Sequence, residues 1–480
     1  MSRDRYVDFL RAWAILLVVL GHWLITGLVR HPDGEITAPE LLATVPWTQW
    51  LTLGFQIMPL FFLAGGHAAA GSWARARAAG GSVTGWVGQR AVRLLLPTAV
   101  YSGLVLLAVG VCSALGVDRA TLALVGWAMA MQFWFLPVYL LLSALTPVLY
   151  SLHERWGLRV PVGMGVAGLS VGLLVAAGDA SSRGSGVEAI EAIEAIGALN
   201  YLLVWGVVYQ LGLCWRDGLL GGDGETAPRA RGRAVVMAVG GAAGFALLVG
   251  PGPFPVSLIL VTGEELSNTD PPSAAMLAWS LAQVGVALLV APVVRRGLER
   301  ARVRRAVRVL GAGSMALYLW HMLPVLIVAA AFYLTGIAPE PRYGSAGWWA
   351  LRVPWLLVLG GVLVGVVRAL RPVERALAAV EVRVRPGAGI RGAAAWRMWA
   401  GLGVSVWALT YFAGHGFAYG GEFPVWPAVG LALGVATLCV AFPRRDEGDG
   451  GSDRSDGTDA DDNDGGAEDQ ESGRAEVGRG

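Results

Sequence analysis

Two ionisable residues, Arg11 and His22, stand inside the first long apolar segment of the chain. Such groups are costly in hydrocarbon unless they face a partner or water, so they indicate function. Eleven residues of helix place both on one face, roughly 16 Å apart along the axis. Neutral imidazole can take a proton from a hydroxyl near pH 7, which makes His22 a candidate general base. We predict that this face borders a polar cavity; the alternative for His22 is an interhelical hydrogen bond.

Two further histidines fall in apolar segments. His321 lies about a dozen residues into a segment that enters from the same side as the first, close to the depth of His22, so the two are potential neighbours. His67 follows Gly65 and Gly66, which suggest close helix packing and a structural role. No two histidines have the i, i+4 spacing of a helical metal pair and no Cys joins them, so we expect no metal site.

Arg90 and Arg93 precede Pro97 at the start of the third apolar segment. A spacing of three puts both guanidinium groups on one side of a helix, and Arg suits bidentate contacts with phosphate. The pair therefore predicts a docking point for a phosphate-rich ligand, or else ordinary positive-inside anchoring. No Gly-rich nucleotide fingerprint occurs between a strand and a helix, which excludes a P-loop or Rossmann domain.

Two segments between apolar runs carry polar residues. The stretch 263–272, which contains Asn268 and Asp270, follows an apolar piece, 254–262, that is too short to span a bilayer. Irregular backbone at membrane depth must line protein or water, so we predict a re-entrant or lid-like loop. Glu188, Glu191 and Glu194 share one helical stripe, which indicates the solvated face of an interfacial helix rather than a cation site.

The elements that position these residues are predicted from composition. The 480 residues are 55% hydrophobic and 15% charged, and apolar runs of helical length recur, which is typical of an all-α, polytopic integral membrane bundle. Arginines cluster in alternate loops and acids in the C-terminal tail, so we expect a multi-pass protein of the cell membrane with both termini cytoplasmic and no nucleic-acid partner. The twelve predicted helices are 8–28, 47–72, 90–116, 122–150, 160–178, 198–215, 234–251, 274–296, 309–335, 348–370, 397–413 and 424–443.

The same composition divides the chain into four parts. We predict a membrane core of about ten helices over residues 1–370 and an Arg-rich cytoplasmic linker over 371–396. Two additional transmembrane helices follow in 397–443. Residues 444–480 are rich in Asp, Glu, Gly and Ser with hardly any apolar side chain, which predicts a disordered acidic tail.

Four short patterns share their order and helix positions with a known family. They are Arg11-Ala12-Trp13-Ala14 with Gly21-His22, Pro59-Leu60-Phe61-Phe62 with Gly66, Arg90 and Arg93 with Pro97, and Tyr318-Leu319-Trp320-His321. In these patterns the chain resembles the membrane acyltransferase 3 family, over about residues 4–370. Two departures leave the substrate open: Gly65-Gly66-His67 stands where members commonly have Ser-Gly-Phe, and the helices after 396 lie outside the usual core.

The resemblance implies an integral-membrane acyltransferase that moves an acetyl or other short acyl group from cytoplasmic acyl-CoA to an acceptor. The acceptor would be a carbohydrate or another small molecule: a glycan, a glycolipid or a secondary metabolite. Residue by residue, it implies His22 as the catalytic base, Arg11 as its partner in the cavity, and Arg90 and Arg93 as contacts for the CoA phosphates. His321, Asn268 and Asp270 are candidate substrate contacts, and no bound cofactor is expected.

Two other classes remain open from the residues. Twelve helices with ionisable groups at depth also suit a secondary transporter, although no repeat with paired broken helices is evident. A non-catalytic component of an envelope-polymer export assembly is the second alternative. Turnover of acyl-CoA separates the enzyme from both.

Overall fold

The computed structural model describes residues 4–30, 36–181, 187–221, 227–261, 266–333, 335–337, 339, 341–383 and 390–442. The predicted disordered tail, 444–480, lies outside the described residues, as do Gly263, Glu264 and Glu265. The side chains of the glutamate stripe are also outside them, although their backbone is helical.

Helices make up most of the described chain, and two strands of two residues, β1 (Val29–Arg30) and β2 (Ile36–Thr37), pair antiparallel. The helices are α1 (Arg5–Ile25), α2 (Leu41–Thr44), α3 (Thr52–Phe55), α4 (Met58–Ala78), α5 (Val83–Ala114), α6 (Arg119–Ala130), α7 (Phe135–Trp156), α8 (Arg159–Ser181), α9 (Val187–Arg216), α10 (Ala227–Val249), α11 (Ala274–Gly297), α12 (Ala301–Ala312), α13 (Ser314–Trp320), α14 (Leu323–Phe332), α15 (Ala346–Arg383), α16 (Ala393–His415) and α17 (Val425–Val440).

The described residues include nine helical segments that are long and apolar enough to cross a membrane. The pair α13 and α14, bent by 43°, makes a tenth if it is one span. The protein is therefore an all-α, multi-pass membrane bundle, as predicted. Beyond these ten, α16 and α17 pack together as a hairpin. Side chains that accept hydrogen bonds from first-turn amides begin several of the helices, namely Asp4, Ser82, Asp118 and Ser273.

The second and third predicted spans begin elsewhere in the structure. The segment predicted as helix 47–72 starts as a 3₁₀ turn, Pro46–Leu51, and α4 begins only at Met58. Pro59 fits there because a first-turn proline lacks only an N–H that would have no helical partner. The third span begins at Val83, so Arg90 and Arg93 lie about two and three turns inside α5, not at its start.

Two spans predicted as continuous are broken. The predicted helix 122–150 is α6 and α7, separated by a turn at residues 131–134. The predicted helix 309–335 is interrupted at His321 and Met322, between α13 and α14. The backbone carbonyls freed at this second break bond to side chains, as irregular backbone in a membrane protein requires. Trp23 Nε1 donates to the His321 carbonyl at 2.6 Å, and Gln132 Nε2 donates to that of Leu319 at 3.3 Å.

The predicted linker at 371–396 also differs, because α15 continues as helix to Arg383. Pro372 lies within this helix, and the residues that follow it include strong helix formers such as Glu374, Leu377 and Ala379. The basic residues after 370 therefore sit largely on a helical extension.

Close helix packing holds the core together. Gly66 of α4 faces the backbone carbonyl of Tyr209, and Gly212 of α9 faces that of Leu63, so a methyl group at either glycine would overlap backbone. Small residues let helix backbones approach this closely. Such packing stabilises helix pairs in a bilayer, because lipid provides no hydrophobic driving force for their association. The predicted close packing at Gly65-Gly66 is confirmed, and it fixes α4 against α9 beside the cavity.

Candidate functional site

Among the described residues, a large cavity with a volume of about 2790 Å³ runs along the whole length of α1. Its walls extend from Asp4 and Asp8 at one end of α1 to Thr26 just after the other, and they include both Arg11 and His22. Arg11 and His22 therefore line one cavity, as their shared helix face predicts, although the wall of that cavity is mostly apolar and not polar as expected. Pockets for one small ligand usually hold about 300–1,000 Å³, so this cavity has room for more than one substrate.

His22 and His321 meet in the wall of this cavity. His22 Nδ1 lies 2.7 Å from His321 Nε2, and the two rings stack with centroids 5.0 Å apart. His22 is half-buried and lines the cavity, whereas His321 is fully buried behind it. The prediction that these two histidines are neighbours is confirmed across 299 residues of sequence.

The hydrogen bonds assign the tautomer of each neutral ring. His321 Nδ1 lies 2.9 Å from the carbonyl oxygen of Tyr318, which can only accept, so Nδ1 carries the proton. His321 Nε2 is then the acceptor, and His22 Nδ1–H is its donor. This arrangement leaves Nε2 of His22 as the unprotonated ring nitrogen at the cavity. A base with this orientation can take a proton from a bound hydroxyl.

Tyr318 of the fourth pattern and three side chains that the sequence did not single out hold the histidine pair in place. Trp23 and Gln132 bond to carbonyls at the helix break, and the Tyr318 hydroxyl donates to the Gln132 carbonyl at 2.7 Å. Gln132 also donates to the hydroxyl of Tyr101 at 3.3 Å. Trp23, Tyr101 and Gln132 come from α1, α5 and the turn before α7, so their spacing in the sequence does not reveal that they meet at the break.

Arginines gather at the end of the cavity where α1 begins; we call this the basic end. The side chains that line it are Arg75, Arg90, Arg93 and Arg216. The guanidinium of Arg90 lies 4.4 Å from the ring centroid of Trp86, and the stacking fixes its direction. The structure thus brings together the two predicted arginines and adds two that the sequence showed only as basic residues at helix ends.

Carboxylates are fewer than arginines among the described residues that line the basic end. Asp4 pairs with Arg295 at 3.1 Å and accepts from the Tyr6 amide at 2.8 Å, so its oxygens already have partners. Asp8 is the other carboxylate that lines this end in the part of the chain that the structure describes. Four lining guanidiniums against these two acids give a site suited to a multiply charged anion such as a phosphate ester.

Arg11 lies between the basic end and the histidine pair. It is half-buried, and its guanidinium is 5.9 Å from the ring centroid of Phe61. Roughly 16 Å of helix separates it from His22, so the two are not in hydrogen-bond contact. The structure therefore places Arg11 where it can contact the middle of an extended ligand, and not at the base itself.

The end of the cavity away from the arginines, here the far end, is lined by Glu40, Asp118 and Asp270. Asp270 is exposed and accepts a hydrogen bond from the Tyr201 hydroxyl at 2.8 Å. Burial raises the pKa of the nearby Tyr343 to about 12. Its hydroxyl therefore stays protonated and donates to the Pro39 carbonyl at 2.9 Å, which fastens the segment that follows α1.

The apolar piece that precedes the predicted loop packs against α3 and against the residues between α3 and α4. The amide of Leu258 donates to Thr52 Oγ1 at 2.9 Å, and Gln56 Nε2 donates to the Leu258 carbonyl at 3.1 Å. The irregular backbone around Leu258 is thus covered by protein. Thr269 and Asp270, in the predicted loop that follows it, line the cavity.

Asn268 has a different role from the substrate contact predicted for it. Its side chain is fully buried; Nδ2 donates to the carbonyls of Pro255 and Ser257, and Oδ1 accepts from Ser273 Oγ. These bonds hold the loop together and leave the amide no group directed at a ligand. Of the two predicted residues in this loop, only Asp270 remains a candidate.

His67 also lines the cavity, and its ring packs on Trp215 with centroids 4.5 Å apart. This contact fits the structural role predicted for it. Among the described residues, no group of three or more His, Cys, Asp or Glu side chains could hold a metal ion.

Comparison with known proteins gives one match. A family model described as an acyltransferase domain, the acyltransferase 3 model, matches residues 4–370. That range contains α1 to α14 and most of α15, including both histidines and every arginine at the basic end. No curated protein and no solved structure matches the chain.

Proposed function

The chain belongs to the acyltransferase 3 family of membrane acyltransferases, and we propose that it transfers an acetyl or other short acyl group from acyl-CoA to a hydroxyl acceptor, with His22 as the general base. The acceptor is a carbohydrate or another small molecule. The observation that carries the proposal is the His22–His321 pair, which leaves Nε2 of His22 unprotonated at a cavity that also contains a cluster of arginines.

The donor enters at the basic end. Arg90 and Arg93 contact the phosphates of CoA, and Arg75 and Arg216 line the same region. The pantetheine arm then passes Arg11 and brings the thioester toward His22, a distance of roughly 16 Å along α1. The acceptor occupies the far end, where Asp270 can accept a hydrogen bond from it.

In the reaction, His22 Nε2 removes the proton from the acceptor hydroxyl while its oxygen attacks the thioester carbonyl. The carbon–sulfur bond breaks, and the CoA thiolate leaves with the proton that His22 had taken. His321 keeps its acceptor nitrogen toward His22 Nδ1–H, and this hydrogen bond strengthens when His22 is positively charged. His321 is therefore a positioning residue, and an ester and free CoA are the products.

We further propose a topology for this reaction in the cell membrane. The arginines of the basic end lie near segments that the positive-inside rule assigns to the cytoplasm, so both termini and the donor entrance are cytoplasmic. The acceptor would then meet the acyl group from the opposite side. CoA stays inside the cell, and only the acyl group moves on.

The test is binding of acetyl-CoA by the detergent-purified protein and by the variant Arg90→Ala/Arg93→Ala. We expect saturable binding that weakens at least tenfold in the variant, because two phosphate contacts are lost. The control is Arg302→Ala/Arg305→Ala on α12, which removes two exposed arginines with the same spacing that do not line the cavity.

Equal binding by both variants and the wild type would remove the donor site from the basic end. No binding at all, across several acyl-CoA lengths, would contradict the enzyme and favour the transporter alternative. The cavity that reaches both ends of α1 would then carry a solute.

A further inference from the structure

Arg352 is a buried cation near the start of α15. Its side chain is 6% exposed, and among the described residues it is the only Arg, Asp or Glu that is buried. In the same part of the chain it forms no ion pair with a carboxylate. A buried charge without an ion-pair partner is costly, so a membrane protein that contains one usually has a functional need for it.

Two tryptophan rings and one backbone carbonyl hold the guanidinium of Arg352. Its Cζ lies 3.8 Å from the ring centroid of Trp348 and 5.4 Å from that of Trp355, and these contacts offset part of the cost of burial. Nη1 donates to the carbonyl of Thr26 at 2.8 Å, whereas Nε has no hydrogen-bond partner among the described residues. The structure therefore directs this cation at the Thr26 carbonyl.

Thr26 is the C-cap of α1, the helix that carries His22. Carbonyl groups at a helix C-terminus have no partner within the helix and carry the negative end of its dipole, so a cation is stabilising there. The amide and the hydroxyl of Thr26 both donate to the carbonyl of His22, at 3.1 and 2.7 Å. Arg352 is thus connected to the backbone of the proposed base through a single residue.

The last turn of α1 is therefore held by two other parts of the chain. Trp23 bonds to the break between α13 and α14, and Thr26 accepts from Arg352 on α15. His22 lies between these two contacts. Its ring bonds to His321 at 2.7 Å, and such a bond weakens steeply when the donor and acceptor are no longer aligned. A rotation of this last turn would misalign the two rings.

We propose that Arg352 is a positioning residue for acyl transfer: its guanidinium holds the last turn of α1 through the Thr26 carbonyl and so keeps His22 aligned with His321. This proposal rests on the proposed function, because it concerns the orientation of the base. Arg352 does not line the cavity, so it acts through α1 and not on a substrate.

The test compares two substitutions of Arg352 with a matched control on the same helix. Arg352→Met keeps a long side chain without charge or donor, and Arg352→Lys keeps a cation that can donate to the Thr26 carbonyl. The control, Arg368→Met, removes an exposed arginine of α15 that does not line the cavity.

We expect the rate of acyl transfer at saturating acetyl-CoA to fall at least tenfold in Arg352→Met and to stay near wild type in Arg368→Met. Arg352→Lys should retain at least fivefold more transfer than Arg352→Met. Acetyl-CoA binding should change less than twofold in all three variants, because Arg352 is remote from the basic end.

A spectroscopic measurement separates positioning from general stabilisation of the fold. Protein labelled with ¹⁵N-histidine is placed in nanodiscs, and solid-state NMR records the ring nitrogens of its six histidines. The variant His22→Ala identifies the resonances of His22. Nδ1–H of His22 is the donor to His321, so its resonance should move in Arg352→Met and not in Arg368→Met. The resonances of His153, on α7, should stay unchanged in both variants.

Unchanged His22 resonances in folded Arg352→Met would overturn the proposal, and so would an unchanged rate of transfer or a loss of acetyl-CoA binding in that variant. If Arg352→Met does not fold, Arg352→Gln, which also removes the charge, takes its place in every measurement. Failure of the wild type to bind acetyl-CoA would count against the proposed function. The His22 resonances would still decide whether Arg352 positions this side chain.

Discussion

At the scale of single residues, the central feature is His22, whose Nδ1–H is hydrogen-bonded to His321 and whose Nε2 is left for the reaction. His22 could have been buried with either nitrogen toward the cavity, but His321 accepts from Nδ1 and directs Nε2 outward. His321 in turn is oriented by the Tyr318 carbonyl within its own helix. The orientation of the base therefore depends on a residue 299 positions away.

The role of His321 can be tested with two substitutions. Gln can present an oxygen near the position of Nε2 and so keep an acceptor for His22 Nδ1–H, whereas Leu cannot. We expect His321→Gln to retain at least tenfold more acyl transfer than His321→Leu, with acetyl-CoA binding unchanged in both. The rate of acyl transfer is measured as a function of pH, because loss of the hydrogen-bond acceptor for His22 Nδ1–H should also move the pH profile. Equal rates and profiles for the two variants would contradict a positioning role.

The sequence predicted part of this site. Apolar context and equal depth were enough to propose His22 and His321 as neighbours, and spacing was enough to propose Arg90 and Arg93 as a pair. The tautomer chain and the contacts of Trp23 and Gln132 depend on tertiary hydrogen bonds, which spacing does not encode. Asn268 shows the reverse error: a polar residue in a loop was predicted to face ligand, but it satisfies loop carbonyls.

At the scale of helices and loops, the site is built where two helices break. The break between α13 and α14 leaves carbonyls that an unbroken helix would satisfy, and Trp23 and Gln132 supply the donors. Hydropathy predicted the apolar runs but not the breaks, because each break contains a single polar residue, Gln132 or His321, among apolar neighbours. The ends of α3, α6 and α13 therefore could not be located from the sequence.

The stability of the break between α13 and α14 should depend on the hydrogen bond that Trp23 donates to it. Trp23→Phe removes the indole N–H that bonds to the His321 carbonyl and leaves that buried acceptor without it, which costs about 1–3 kcal/mol. We expect a lower thermal unfolding midpoint in detergent and reduced acyl transfer. The control, Trp13→Phe on the same helix, changes a side chain that is 42% exposed, and it should leave both quantities near wild type. Equal effects of the two substitutions would contradict this account of the break.

The α4–α9 contact gives a second prediction at this scale. Gly66→Ala forces a methyl group onto the Tyr209 carbonyl, and overpacking of this kind costs about 1–3 kcal/mol. Gly103→Ala on α5 places the same methyl group in open space and should be neutral or slightly stabilising, since alanine is the better helix former. The measurement is the thermal unfolding midpoint of both variants. Equal midpoints for Gly66→Ala and Gly103→Ala would contradict the close contact between α4 and α9.

At the scale of the whole molecule, the cavity differs in charge between its ends. Arginines line the basic end, and Glu40, Asp118 and Asp270 line the far end. An anionic donor and a hydroxyl acceptor can thus approach the same histidine from opposite ends. Composition predicted the all-α class, because apolar runs of helical length determine it. It gave twelve spans, however, where the described residues include nine or ten segments that are long and apolar enough to cross a membrane. A shared cavity, in contrast, emerges only when ten or more helices are assembled.

The proposed topology predicts which cysteines can be labelled in whole cells. In a background where Cys112, Cys214 and Cys439 are replaced by serine, Asp118→Cys lies at the far end and should react with a membrane-impermeant maleimide outside the cell. Arg375→Cys, on the exposed extension of α15, should react only after permeabilisation. The reverse pattern would show that the basic end faces outward and that cytoplasmic acyl-CoA cannot reach it.

The most direct measurement is acyl transfer by His22→Ala in nanodiscs, with radiolabelled acetyl-CoA and total membrane extract as the source of acceptor. General-base catalysis contributes roughly 10²–10⁴-fold, so the variant should lose that factor in rate while it binds acetyl-CoA as the wild type does. His415→Ala, which changes an exposed histidine on α16, should transfer normally. Transfer by His22→Ala at near wild-type rate would contradict the assignment of His22 as the base.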